Sequence, residues 1–139
     1  MSEEVRGLIV AHSTLAEGMV AAVRQISGAG EDALRSLTNE GRGPEGLVEA
    51  VSQELGDAPA IIFTDLPSGS CAFAARKLSL SRPDTALVCG VNLTMLLDFV
   101  FHRDMPLPQL VERLVEKGRA GINGTYKEGA AHADRALSR

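Results

Sequence analysis

The segment GLIVA, residues 7–11, is followed directly by His12, and this strand-then-histidine pattern decides the fold that the sequence predicts. The apolar run is too short for a core helix, and its polar flanks are typical of a buried strand. Two further clear runs of this kind are Ala60–Thr64 and Thr85–Cys89, and a weaker one is Leu34–Thr38. The chain therefore predicts four short strands.

Between these strands, apolar residues recur at spacings of three and four, which indicates amphipathic helices. The predicted helices span residues 14–26, 44–55, 70–78, 93–103 and 107–117. The alternation predicts an α/β fold, a doubly wound and mainly parallel four-stranded sheet with helices on both faces. Residues 122–126 are expected to form a C-terminal edge strand. We expect one domain over residues 1–126 and a mobile tail over residues 127–139.

Composition narrows the classes of function. The 139 residues are 45% hydrophobic and carry a net charge of −4, which argues against nucleic acid or an anionic membrane as the partner. The apolar run at 7–11 is too short for a signal peptide core or a membrane span, so we expect a cytoplasmic protein without direct membrane insertion. Cys71 and Cys89 are expected to be reduced thiols in the core.

Two ionisable side chains follow predicted strands. His12 comes after the first strand and Asp65 after the third, and parallel strands bring their carboxyl ends to one edge of the sheet. A carboxylate that accepts a hydrogen bond from one imidazole nitrogen fixes the tautomer and leaves the other nitrogen as a nucleophile. Each residue alone is more often structural, His12 as a hydrogen-bonding side chain and Asp65 as a helix cap. Together they predict a catalytic pair.

Small polar residues beside this pair predict an anion cradle. Hydroxyls and helix-opening amides suit phosphate oxygens, and the candidate phosphate-binding residues are Ser13, Thr14, Ser68, Gly69 and Ser70. The other histidines, His102 and His132, have no evident orienting acid. Three scattered histidines offer no metal-ligand spacing, so neither a metal nor another cofactor is expected.

Three segments in this order resemble the enzyme IIA domain of the mannose class of the bacterial phosphotransferase system. They are GLIVAH at 7–12, FTDLPSGS at 63–70 and VCGVNLTML at 88–96, and the GRAG segment at 118–121 is similar to the closing segment of that family. The resemblance extends from about residue 5 to residue 122. The GVNL segment is its most specific part.

The resemblance implies a function for the pair. His12 would accept a phosphoryl group on Nε2 from the phosphohistidine of the carrier HPr and donate it to an enzyme IIB partner, which phosphorylates an incoming sugar. Asp65 would hydrogen-bond the other ring nitrogen. The resemblance also implies a homodimer in which residues 122–126 form an antiparallel strand exchanged between the subunits.

The sequence departs from the family pattern at four positions. Ser13 and Ser68 stand where glycines are usual, Cys71 replaces a proline, and Thr94 replaces a common proline. The His-Ser pair is also similar to the phosphotransfer subunit of dihydroxyacetone kinase.

Two other functions stay open at this point. One is a regulatory phosphoacceptor whose phosphorylation state controls a partner protein, including a role of the dihydroxyacetone-kinase type. The other is a small hydrolase that uses His12 and Asp65, which is disfavoured because the chain has no G-x-S-x-G elbow.

Overall fold

A computed structural model describes residues 4–127, so the predicted tail lies outside the described residues except for Lys127. The strands are β1 (Arg6–Ala11), β2 (Leu34–Thr38), β3 (Ala60–Thr64) and β4 (Thr85–Cys89). The helices are α1 (Leu15–Ser27), α2 (Pro44–Leu55), α3 (Ser70–Ser81), α4 (Leu93–Val100) and α5 (Leu107–Ala120). Within residues 4–127, no helix combines the length and the hydropathy that a membrane span requires.

The four strands form one parallel sheet in the order β2-β1-β3-β4. Strand β1 lies in the interior of the sheet, with Gly7 beside Leu34 of β2 and Val10 beside Thr64 of β3. Neighbouring strands therefore end at the same edge of the sheet. The predicted fold class, an α/β fold with helices on both faces, is confirmed.

Alternation along β1 explains why both faces of the sheet are covered. Ile9 packs into a core with α1, α4 and α5, whereas Leu8 and Val10 pack into a second core with α2 and α3. Strand residues buried on both faces read as continuous apolar sequence, which is the pattern seen at residues 7–11. The sheet is consequently the buried centre of the fold, and the loops at the strand ends project from it.

The observed helices differ from the predicted ones mainly at their carboxyl ends. Helix α4 ends at Val100 rather than at 103, because Arg103 O accepts a hydrogen bond from the Val5 N–H at 2.9 Å and Arg103 Nε donates to Val5 O at 2.9 Å. Helix α3 continues past residue 78 to Ser81, and the Ser79 and Ser81 hydroxyls donate to the carbonyls of Arg76 and Leu78.

Residues 122–126 form no strand within the described part of the chain. Ile122 and Tyr126 are 67% and 60% exposed, so neither side chain packs into the core of its own chain. If residues 122–126 complete the sheet of another subunit, their apolar side chains are exposed in a single chain and buried only in the dimer. The exchanged strand stays a prediction.

Candidate functional site

The site lies where the order of the strands reverses. The chain runs from β1 outward to β2 and then returns to β3 on the other side of β1. In open parallel sheets, the crevice at such a reversal is the usual place for a ligand. His12 follows β1 and Asp65 follows β3, so the sheet itself delivers both side chains to this crevice.

His12 and Asp65 make two hydrogen bonds with each other. The Nδ1 atom of His12 lies 2.8 Å from Asp65 Oδ2, and the backbone N–H of His12 donates to the same oxygen at 3.0 Å. The other carboxylate oxygen accepts from the Leu66 N–H at 3.0 Å. The His12 side chain is 44% exposed and that of Asp65 only 11%, so the acid is fixed in the protein while the ring faces outward.

The charge state of Asp65 suits the role of hydrogen-bond acceptor. Burial by itself would raise the pKa of Asp65, but the hydrogen bonds from the backbone and imidazole of His12, with the charge of that ring, outweigh it and lower the pKa. Asp65 is therefore ionised at neutral pH. A neutral His12 then carries its proton on Nδ1, which leaves a lone pair on Nε2.

The backbone directly after His12 is strained. Ser13 is the only non-glycine residue with positive φ (55°) among residues 4–127, a conformation in which the Cβ atom is crowded. The turn places the Leu15 N–H 3.2 Å from His12 O at the start of α1. This sharp turn carries the chain from the strand to the helix, so the side chain of His12 projects at the strand end.

Three of the candidate phosphate-binding residues open helix α3. Gly69 is the N-cap with φ of 95°, a value that suits glycine. Because glycine has no side chain, the helix has no capping hydrogen bond from this residue. Ser70 begins the helix, and its hydroxyl accepts from Asn39 Nδ2 at 3.4 Å. Ser68 is exposed beside them. The first amides of α3 are therefore open toward the crevice side of the sheet.

The other two candidates, Ser13 and Thr14, lie on the opposite side of His12. Thr14 occupies the N-cap of α1, but its side chain makes no capping hydrogen bond. Both residues line a recess of about 260 Å³ whose wall also includes Glu17 and Glu40. Those carboxylates disfavour an anion deep in the recess.

Asn39 is a site residue that the sequence analysis missed. It follows β2, and its backbone N–H donates to Ala11 O at 3.3 Å beside the end of β1. A polar residue directly after a strand was the signal that identified His12 and Asp65. The same signal was present here, but β2 was the weakest strand in the sequence.

Cys71 is the second residue that was missed. Its buried thiol belongs to the core, as expected, but a ligand atom of each of His12, Asp65 and Cys71 lies within 4.8 Å of the other two. Burial raises the pKa of the Cys71 thiol, and the neighbouring charge of Asp65 raises it further. No spacing rule predicts this cluster, because the three residues come from two strand ends and a helix.

The third motif supports the crevice rather than lining it. Asn92 caps α4 by accepting from the Met95 N–H at 3.0 Å, and its Nδ2 donates to Gly118 O at 2.8 Å. A Cβ atom on Gly118 would lie 2.6 Å from Met95 Cε, and one on Gly121 would lie 2.6 Å from Thr94 Oγ1. The GVNL and GRAG segments thus form one helix–helix contact.

His102 lies apart from the crevice. Its Nδ1 is 2.8 Å from Asp98 O at the end of α4 and 3.6 Å from Asp98 Oδ1. It therefore has an acidic neighbour that the sequence did not indicate. This pair lies at the end of α4 and not at the strand ends where His12 and Asp65 meet. His132 lies outside the described residues.

Known proteins share this architecture. The family described as the PTS system fructose IIA component (EIIA-man) matches residues 7–115. The phosphotransferase system component EIIA from Streptococcus agalactiae is 25% identical with a TM-score of 0.80, covering 86% of this chain and 96% of that chain. A comparison with curated protein sequences gives no match.

Two more distant solved structures share the fold. The mannose/sorbose specific IIA subunit from Enterococcus faecalis has a TM-score of 0.77 at 22% identity, covering 90% of this chain and 97% of that chain. The IIA protein associated with the fucose utilization operon from Streptococcus pneumoniae has a TM-score of 0.71 at 23% identity, covering 89% and 96% respectively. The sugars in these names differ although the fold is the same.

Proposed function

Because this chain belongs to the EIIA-man family of IIA components of the phosphotransferase system (PTS), we propose that it carries a phosphoryl group on His12 between two proteins of a sugar uptake system. The observation that carries the proposal is the 2.8 Å contact between His12 Nδ1 and Asp65 Oδ2. It fixes the ring, assigns the proton to Nδ1 and keeps Nε2 as the nucleophile.

The transfer is an in-line displacement at phosphorus. The lone pair of His12 Nε2 forms the new P–N bond while the P–N bond to the histidine of the donor breaks, and that histidine keeps the bonding electron pair. The His12 ring gains positive character, which the Asp65 carboxylate stabilises through the Nδ1 proton. Transfer to the acceptor follows the same steps in reverse, so His12 returns with its Nδ1 proton in place.

Amides and hydroxyls hold the phosphoryl oxygens in this proposal. The amino end of α3, with Gly69 and Ser70, presents N–H groups and a positive helix dipole. Ser68 adds a hydroxyl from the loop. Ser13 and Thr14 contribute less, because Glu17 and Glu40 share their recess and repel an anion. Little covalent chemistry falls to the protein, so positioning and electrostatics account for most of the rate.

The proposed donor is HPr and the proposed acceptor is an enzyme IIB. A protein that reaches His12 meets exposed apolar side chains beside the site, including Leu66 and Phe73, each 52% exposed. Phe73 lies in a groove of about 490 Å³ that begins at Ser68 and Gly69 and also contains Arg76. An apolar centre with a polar margin is typical of a protein-docking surface.

The test is phosphorylation of the purified chain by phosphoenolpyruvate, enzyme I and HPr, read by intact mass. We expect one phosphoryl group per chain, labile in acid and stable in base, as a phosphohistidine should be. His12→Ala should abolish it, because His12 is the histidine that Asp65 orients at the strand ends.

The matched control is His102→Ala, which removes a histidine that also contacts an aspartate. This variant should be phosphorylated at the rate of the parent chain. Labelling that persists in His12→Ala, or disappears in His102→Ala, contradicts the assignment of the acceptor.

A further inference from the structure

We propose that His12, Asp65 and Cys71 form a zinc site, and that zinc and the phosphoryl group are mutually exclusive on this protein. The binding part stands on the geometry alone. The exclusion part rests on the proposed function, since it requires His12 to be the phosphoacceptor.

Each side chain of the set is of a type that zinc binds. An imidazole nitrogen, a carboxylate oxygen and a sulfur are the three protein ligand types of zinc, and ligand atoms of these three residues lie within 4.8 Å of one another. Zinc bonds of about 2.0 to 2.3 Å at tetrahedral angles separate ligand atoms by about 3.3 to 3.6 Å. With Nδ1 as the ligand atom, the His12–Asp65 contact of 2.8 Å has to open by about 0.5 Å, and separations near 4.8 Å have to close by about 1 Å; side-chain rotation can supply both changes.

The surroundings favour an open site rather than a closed structural one. Cys71 is buried on the helix side, while the His12 ring is partly exposed toward solvent. Three protein ligands leave the fourth tetrahedral position to water. When zinc binds, the Cys71 thiol loses its proton to solvent and the sulfur becomes a thiolate ligand.

Either mode of histidine binding removes the phosphoacceptor. If zinc binds Nε2, the nucleophilic atom is occupied. If zinc binds Nδ1, the neutral ring carries its proton on Nε2, so that atom has no free lone pair. Binding also withdraws Asp65 Oδ2 from the ring. Phosphorylation likewise excludes zinc. In a phosphorylated His12, Nε2 is bonded to phosphorus and the Nδ1 proton is hydrogen-bonded to Asp65, so neither ring nitrogen has a free lone pair.

The first measurement is metal binding by the reduced full-length chain, with zinc followed by calorimetry and cobalt(II) used as a spectroscopic probe. We expect one ion per chain and a thiolate-to-cobalt charge-transfer band. Cys71→Ser should abolish the band and weaken zinc binding by about tenfold or more, and His12→Ala should weaken it similarly. The matched control is Cys89→Ser, which removes the other free cysteine and should change neither result.

Wild-type chain that binds no zinc, or a cobalt band that survives in Cys71→Ser, overturns the site. Cys71→Ala serves as a second variant should the buried serine hydroxyl prevent folding, and circular dichroism reports the fold of each. These measurements need no phosphorylation, so they stand even if the proposed function fails.

The second measurement tests exclusion. The phosphorylation rate of each chain is measured with and without zinc, and the ratio of the two rates is compared between wild type and Cys71→Ala. We expect zinc to slow phosphorylation of wild type strongly and that of Cys71→Ala much less. Comparing the two ratios cancels any effect of zinc on enzyme I or HPr, because both chains are assayed with the same donor proteins. Equal ratios overturn exclusion. A chain that is never phosphorylated overturns the proposed function but not the zinc site.

Discussion

At the scale of single residues, the hydrogen bonds of the site converge on one carboxylate, that of Asp65. Asp65 Oδ2 accepts from both the backbone N–H and the Nδ1 of His12, while Oδ1 is held by the Leu66 N–H. The acid therefore fixes the strand end, the ring and the tautomer together. A helix-capping aspartate would bond to amides alone.

Asp65→Asn separates orientation from capping. The amide keeps an oxygen that can accept from backbone N–H groups, but its NH₂ group donates to Nδ1 and moves the ring proton to Nε2. We expect the phosphorylation rate to fall by about 100-fold or more with the fold intact, measured by quenched time courses and circular dichroism.

Asp98→Asn is the matched control for this change, because Asp98 also contacts a histidine and has a side chain only 13% exposed. Its phosphorylation rate should stay at the parent value. Near-normal transfer by Asp65→Asn would reduce Asp65 to a structural residue.

At the scale of elements, α4 and α5 pack closely against each other. Asn92 joins the start of α4 to Gly118 O of α5, and Arg113 of α5 makes two hydrogen bonds with Asp98 of α4, at 2.7 and 3.0 Å. Gly121 lies against Thr94. Small residues on α5 let the two helices approach closely.

Gly121→Ala should destabilise the protein, because the new Cβ would lie 2.6 Å from Thr94 Oγ1 and 2.8 Å from Thr94 Cβ. A β-branched side chain has little freedom to move aside, so we expect a loss of about 1 to 3 kcal/mol in the free energy of unfolding, measured with urea.

The control is Gly46→Ala in α2, where a Cβ meets nothing within 4 Å. It should be neutral or stabilise by up to about 1 kcal/mol, since alanine is the better helix former. Equal effects of the two substitutions would mean that the contact with Thr94 is not tight.

The Asp98–Arg113 pair makes stability depend on pH. The hydrogen bond from Arg113 lowers the pKa of Asp98 against the opposing effect of burial, and the charges of Arg113, His102 and Lys117 lower it further. Because the folded pKa lies below the unfolded one, the pair stabilises fully above the unfolded pKa. That contribution is lost as the pH falls through the folded pKa.

Asp98→Asn should therefore lower the free energy of unfolding near neutral pH, and its difference from wild type should shrink as the pH falls below about 4. Urea unfolding at a series of pH values measures this. A difference that does not change with pH would show that the charge of Asp98 contributes nothing.

Sequence patterns predicted which strands and helices form. They predicted less well where the helices end and which residues meet at the site. The bounds of β2, β3 and β4 are as predicted, because apolar runs between turn residues leave little freedom. The predicted end of α4 was wrong because it is set by a contact between Arg103 and Val5, which lies 98 residues earlier in the chain. The proximity of Cys71 to His12 likewise arises only after folding.

At the scale of the whole molecule, the described chain leaves a hydrophobic end exposed. Ile122 and Tyr126 follow α5 without packing into either core, while the sheet ends at β2 on one side and β4 on the other. An edge strand can accept a strand from another chain. The homodimer with exchanged residues 122–126 is the assembly that we predict.

Replacing both Ile122 and Tyr126 with aspartate should then convert a dimer into a monomer in sedimentation equilibrium, because charges would enter a buried strand. Leu80→Asp changes a side chain that is 83% exposed on α3 and should leave the dimer intact. A doubly substituted chain that sediments as a dimer, or a wild type that sediments as a monomer at micromolar concentration, would count against the exchange.

The 53 residues that separate His12 from Asp65 have a consequence during biosynthesis. His12 leaves the ribosome first and has no acid to hold its ring until β3 has been made and has paired with β1. Because this pairing closes a long loop, it belongs to the later, cooperative part of folding. A nascent or damaged chain therefore exposes a histidine without an oriented Nε2. With His12 as the phosphoacceptor proposed above, the distance along the chain ties the reactivity of the ring to the pairing of β1 with β3.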